Sequence, residues 1–272
     1  MVTKTQIKTC QNDTEVNEHE IQSIYDFALV GKTERLNKLI EKLKNMAEEE
    51  TWNLENENIP NKILHHYFMG TFLKCHRENK IIYSENNKYC CFNTGLLTNH
   101  GEDILCLFEP SKTKGILKWY LEGFHINSER IILKNFKQIP EVCCYFNDPA
   151  DLLFNVKADI WVNYQHILDD NWEERFPDEL RNLGKDTIIS MMKGAIDITK
   201  KRIQRNHRLV IPLYYKNKIT YLLPLKLRDY YLALVTEKFD DDKYRANTIF
   251  TPEMAYMEAR LLMKPETNWL TI

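Results

Sequence analysis

The sequence predicts an α+β fold: N-terminal helices, mainly antiparallel sheets in two meanders, a long central helix and a C-terminal helix. Three observations carry this. Apolar residues recur at helical spacing from about residue 18 to 79. Short β-prone runs then fall into two groups cut by turn residues. One long amphipathic segment, from Asp186 to about Asn206, separates the groups.

Residues 1–16 are polar and aperiodic and are expected to form a disordered tail. A single domain is expected over 17–272, its helical part covering about 17–79. Between Glu18 and Glu50, Ile21, Ile24 and Phe27, then Leu36, Ile40 and Leu43, mark two helices divided at Gly31. A third runs from Lys62 to about Glu78 around Ile63, Tyr67 and Phe72. Strands are expected at 81–83, 89–93, 104–108 and 117–121, separated by Asn86-Asn87, Asn99-His100-Gly101 and the Ser111–Gly115 stretch. Ile131–Phe136 reads as a further strand, and Asn147-Asp148-Pro149 as a turn. Helical pattern returns at 163–168 and 172–183, interrupted around Asp170 and Pro177. After the central helix, 209–215, 219–225, 230–237 and 245–250 read as four antiparallel strands. The last helix begins with Thr251 as N-cap and Pro252 at the first position, runs to about Met263 and stops at Pro265. Along it Met254, Met257 and Leu261 form an apolar face, and Tyr256 and Arg260 another face, four residues apart.

Composition narrows the function classes. Formal net charge is −2, so no global basic field advertises nucleic acid and a polyanion site must be local. No apolar run is long enough to span a bilayer, and the polar N-terminus lacks a secretory core, so a cytoplasmic protein without membrane partners is expected. Seven cysteines, with no C-x-x-C spacing, indicate reduced thiols rather than a zinc ribbon; no metal and no cofactor are expected. Only eight glycines occur, and none forms G-x-G. The Gly31-Lys32-Thr33 triplet lacks the upstream glycine of a P-loop. Asp240-Asp241-Asp242 reads as a solvated turn, since adjacent carboxylates lack the spaced ligands of a calcium loop.

Several residues remain as candidates for ligand chemistry. Lys200, Lys201, Arg202, Arg205, His207 and Arg208 crowd the end of the central helix, more cations than the helix dipole alone needs. Asn93 and Thr94 lie where the second strand is expected to give out, with side-chain donors for a ligand. His166, between Asn163 and Asp170, could transfer a proton, as could Tyr256. Arg260, Arg245 and Lys201 or Arg202 could grip a phosphate. Each also has an ordinary reading: turn former, helix-dipole partner, hydrogen-bonded core group or ion pair.

The ordered motifs CCFNTGL, WYLEGF, Asp148-Pro149, NYQHILDDN with ERFP, GAIDITKKRIQRN, ITYLLPL and TIFTPEMAYMEARLLMKPETNWL resemble a bacterial family of domains of unknown function recurrently joined to OST-HTH (LOTUS-type) RNA-binding modules. The resemblance covers about residues 20–272, and no such module is evident beside it. It implies RNA metabolism or bacterial and phage conflict, with RNA or a small nucleotide, cyclic ones included, as ligand. It draws Asn93, Thr94, His166, Arg202, Tyr256 and Arg260 into one group. The expectation is an RNA- or nucleotide-binding protein that, if an enzyme, cleaves phosphodiesters without a tightly held metal through His166, Tyr256 and Arg260, with Asn93, Thr94, Lys201, Arg202, Arg205 and Arg245 binding the ligand. The alternatives are a non-catalytic sensor of the same ligands and a protein-interaction scaffold with no nucleic-acid ligand.

Overall fold

Two runs of alternating apolar residues organise the molecule into two mixed five-stranded sheets. The structure, a computed structural model, describes residues 21–54, 59–113, 117–240 and 242–270. The expected tail and Asp241 lie outside the described residues. Sheet A has the order β1 (Ala28–Leu29), β5 (Trp119–Ile126), β4 (Asp103–Pro110), β3 (Cys90–Leu97), β2 (Ile82–Tyr83). Sheet B has the order β6 (Asp159–Val162), β10 (Lys243–Phe250), β9 (Tyr230–Asp240), β8 (Lys218–Leu227), β7 (Ile211–Tyr215). Neighbours are antiparallel except β1 on β5 and β6 on β10, which are parallel. Each meander therefore acquires one short parallel edge strand from a distant part of the chain.

Among the described residues eight helices accompany the sheets: α1 (Ile24–Phe27), α2 (Thr33–Met46), α3 (Lys62–Arg77), α4 (Arg130–Asn135), α5 (Tyr164–Arg175), α6 (Asp178–Arg181), α7 (Lys185–Ile203) and α8 (Pro252–Leu262). Among the described residues the two sheets are joined mainly through helices. Helix α3 lies on sheet A and α8 on sheet B, and the two helices pack on each other; one continuous core runs from Phe68, Phe72 and Phe92 to Leu213, Val235 and Phe250. The far side of sheet A is closed by Ile132 of α4, and the far side of sheet B by α7, whose Ile188, Met192 and Ile196 cover Leu223, Leu225 and Leu234. No helix among the described residues is long and apolar enough to cross a membrane.

Several expectations need correction. The segment before Gly31 forms only one helical turn, because Ala28 and Leu29 instead hydrogen-bond as a strand beside Trp119 and Tyr120. Ile131–Phe136 is helical over Arg130–Asn135; its β-branched pair suggests a strand, but the buried residues are Ile132 and Phe136, four apart as on a helix, and the segment lacks the period of two. Asp170 does not interrupt α5, which runs through to Arg175 and ends before Pro177. β3 does not give out at Asn93 but passes through a register irregularity to Leu97. There Gly95 sits at φ +74°, and an added Cβ would lie 2.8 Å from the Tyr67 hydroxyl, which itself donates to the Thr94 carbonyl.

A titratable knot braces the end of β5. His125 Nδ1 lies 2.6 Å from Glu129 Oε2, and Nε2 lies 2.5 Å from Glu122 Oε2. The Glu122 bond, against the cost of burial and with help from Glu129, raises the imidazole pKa. The His125 bond lowers Glu122; Glu129, which burial alone would raise, is lowered by His125 and the Ile126 N–H. A raised histidine stabilises most below its unfolded pKa of about 6.5 and loses this as pH rises through the folded value. The lowered carboxylates stabilise above about pH 4.5 and lose this as pH falls. The stability difference between the wild type and His125→Gln is therefore expected to be largest between about pH 4.5 and 6.5 and to shrink above that window. Urea melts at pH 5.5 and 8.5 measure it; a pH-independent difference would contradict the ionised knot.

Candidate functional site

Helix α5 starts where Asn163 Oδ1 accepts the His166 N–H, 3.2 Å away, and its i, i+4 spacing then sets His166 over Asp170, Nδ1 to Oδ2 at 3.1 Å. One turn on, buried Asn171 donates to the Ile167 carbonyl, and Arg175 ends the helix. The helix lies alongside β10, which carries a bulge. Arg245 pairs with Glu237 and Thr248 with Val235, so one extra residue is inserted between them. Without it Arg245 and Thr248 would point to opposite faces; with it both lie on the face away from α7. The sequence signal for a bulge was absent, since no glycine marks it.

This face is covered by α8 over only part of its width. The remainder is a cavity of about 450 Å³ between α5 and the β7–β8 turn. His166, Asp170, Asn171 and Arg175 form one wall, Tyr215 and Lys216 the other, and Thr220, Val235, Glu237, Arg245, Asn247 and Thr248 the floor and rim. Arg175 is held by its Nη1, which donates to Thr248 Oγ1 at 2.6 Å and the Ile249 carbonyl at 2.7 Å; the Thr248 hydroxyl in turn donates to Asn171 Oδ1 at 3.3 Å. Phe250 lies under the guanidinium at 5.5 Å and is itself met edge-on by Tyr215. Arg245 Nε donates to Asn247 Oδ1 at 3.1 Å.

The charges in the cavity are unevenly matched. Asp170 has His166, and Glu237 has an ion pair with Lys218. Among the described residues no carboxylate pairs with Arg175, Arg245 or Lys216. Among the described residues the buried Arg175 Nε and Thr220 Oγ1 atoms have no hydrogen-bond partner. Donors left over beside uncompensated cations suit an oxyanion, and arginine's planar fork suits phosphate in particular.

Of the residues singled out from the sequence, the structure brings His166 and Arg245 into this cavity and leaves the others elsewhere. Tyr256 and Arg260 turn inward: the face carrying them is part of the buried face of α8, with Ala255 and Ala259 beside them, whereas Met254 and Met257 are only half-buried. Arg260 makes a bidentate pair with Glu50, Nε to Oε1 at 2.5 Å and Nη2 to Oε2 at 2.8 Å, and lies 4.7 Å from both the Trp52 and Tyr67 rings. Glu50 keeps the guanidinium pKa raised despite burial, and burial raises the Tyr256 phenol. Their shared hollow with His166 does not exist, because α8 meets the interior through this face.

Asn93 and Thr94 are buried at the β3 irregularity, where their hydrogen bonds are internal. Asn93 Nδ2 donates to Asp103 Oδ1 and the Pro140 carbonyl, and its Oδ1 accepts the Gly95 N–H; Thr94 Oγ1 donates to the Ile104 carbonyl at 2.6 Å. Lys201, Arg202 and Arg205 are exposed at the end of α7, on the opposite face of sheet B from the cavity, and Arg205 caps the Lys201 carbonyl at 2.6 Å. Arg175 and Thr220 are the residues that sequence reading missed. Arg175 stood within the ERFP motif, a cation at a helix end before a proline, which by itself has the ordinary dipole explanation. Among the described residues no group of three or more His, Cys, Asp or Glu is placed to hold a metal.

Fold and site together define an α+β protein of two helix-separated mixed sheets with a cationic cavity on the open part of the second. The chain belongs to the family described as domain of unknown function (DUF3825), which matches residues 43–269. Neither the curated proteins nor the solved structures give a match.

Proposed function

We propose that the protein binds the phosphate of a nucleotide or of RNA in the cavity between α5 and the β7–β8 turn. The observation that carries this reading is the pairing of Arg175 and Arg245 on one cavity, both without a carboxylate partner among the described residues. Arg175 is fixed by backbone and Thr248, so its orientation is set before a ligand arrives and little order is lost on binding. Arg245, more exposed, closes on the phosphate from the rim. The resemblance to domains joined to RNA-binding modules gives the same direction.

His166 supplies the step from binding to catalysis. Asp170 occupies Nδ1, which orients the ring and leaves Nε2 as the nitrogen for proton exchange. An RNA 2′-hydroxyl that loses its proton to Nε2 can attack the adjacent phosphorus and expel the 5′-oxygen of the next nucleotide, which is protonated by solvent, leaving a 2′,3′-cyclic phosphate; the imidazolium returns its proton to solvent, and the two arginines would balance the charge developing on the phosphoryl oxygens. A non-catalytic sensor would use the same arginines without this transfer.

Thermal shift against RNA oligomers, mononucleotides and cyclic nucleotides tests the binding, since a ligand at a hundred times its dissociation constant stabilises by about 2.7 kcal/mol. A shift with at least one of them is expected; none with any would favour a scaffold. A long incubation followed by chromatography separates the rest. Product formed by the wild type and lost by roughly a hundredfold or more in His166→Ala, with the thermal shift kept, is the enzyme; a shift without product is the sensor.

A further inference from the structure

Arg245 lines a second, smaller hollow of about 180 Å³, together with Trp161 and Phe239. These two aromatic side chains are 56% and 63% exposed and stand side by side, a pair of flat apolar surfaces that the core does not use. They stand on β6 and β9 with β10 between them, rings 6.5 Å apart and 28° from parallel. Across the sheet Trp161 is in register with Arg245, and Arg245 with Glu237. Lys243, two residues before Arg245, lies 5.1 Å from the Trp161 ring. One continuous face thus carries a pair of flat rings, then Arg245, then the cationic cavity.

We infer that Trp161 and Phe239 form a stacking platform for the base of the ligand whose phosphate enters the cavity, so the ligand is a mononucleotide or an unpaired nucleotide of single-stranded RNA. This rests on the phosphate-binding reading above and names its substrate class. A flat ring joined to a phosphate fits rings joined to arginines, and neighbouring strands are about 5 Å apart, so platform and cavity lie within the reach of one nucleotide. A base inside a duplex is already stacked on both faces and is excluded from the platform. The placement sets the direction: Arg245 belongs to both hollows and the cavity with Arg175 lies on its other side from the aromatic pair, so the phosphate lies on the Arg245 side and the base over Trp161 and Phe239.

The test compares an RNA trinucleotide with ribose 5-phosphate, which has the phosphate and no base, by titration of the wild type, Trp161→Ala, Phe239→Ala and Trp161→Phe. Both aromatics are exposed, so the variants should fold; circular dichroism confirms it. The expected result is a roughly tenfold or greater loss of trinucleotide affinity in each alanine variant with ribose 5-phosphate affinity unchanged. The wild type is expected to lose tryptophan fluorescence on adding the trinucleotide, and Trp161→Phe to abolish most of that change. Unchanged trinucleotide affinity in both alanine variants would overturn the platform and leave the phosphate cavity standing. If the wild type binds neither probe, the cavity reading falls and the platform with it. A wild-type dimer in sedimentation that Trp161→Ala dissolves, with trinucleotide affinity unaltered, would assign the aromatic pair to self-association and overturn the proposal.

Discussion

Replacing Glu50 by alanine is expected to destabilise the protein by about 3–5 kcal/mol, the usual consequence of stranding one member of a buried ion pair. Both partners are nearly enclosed, with 12% of the Arg260 side chain and 10% of the Glu50 side chain exposed. In the variant the guanidinium would remain between the Trp52 and Tyr67 rings with cation–π attraction but no counter-charge. At roughly 2–4 °C per kcal/mol for a chain of this size, the melting temperature should fall by about 10 °C or more. The double variant Glu50→Ala/Arg260→Met should recover part of that loss, since removing both charges leaves neither stranded. A fall under about 1 kcal/mol in thermal or urea unfolding would mean that Arg260 is not committed to Glu50 and is free for another role.

Arg175→Met and Arg245→Ala are expected each to weaken nucleotide binding by about tenfold to a hundredfold, the size of one charge-assisted hydrogen bond lost to phosphate. Their effects on folding should differ. Arg175 holds Thr248 and the Ile249 carbonyl, so its removal also destabilises by roughly 1–3 kcal/mol. The Arg245 side chain is exposed and, among the described residues, bonded only to Asn247, and its loss should stay within about 0.5 kcal/mol. Arg175→Lys separates charge from geometry, because it keeps the cation and loses the fork; it should recover only part of the affinity. Binding unchanged in both Arg175→Met and Arg245→Ala would remove phosphate from the cavity.

The sheets and most helices were legible because their signals are local. Asn86-Asn87 ends β2, and Thr251-Pro252 starts α8 with the Thr251 hydroxyl accepting the Met254 N–H as the cap rule requires. The parallel strand β6 was not legible: four residues, DIWV, are too few to show a period, and their partner lies more than 80 residues on. The site divides the same way. His166 with Asp170 follows from helical spacing, and Arg245 from its chemistry on a strand. Spacing also put Tyr256 and Arg260 on one face of α8, but it cannot say which face turns inward. That was decided by Glu50, 210 residues away in sequence. Arg175 needed the β10 bulge to acquire Thr248 as a neighbour, and no residue announces that bulge.

The most direct measurement is the salt dependence of nucleotide affinity for the wild type and Arg245→Ala. With two arginines on phosphate, log K of the wild type should fall against log salt with a slope of about −1.4, and the variant should lose about half of it. Equal slopes and equal affinities for the two proteins would contradict a phosphate held by this cavity.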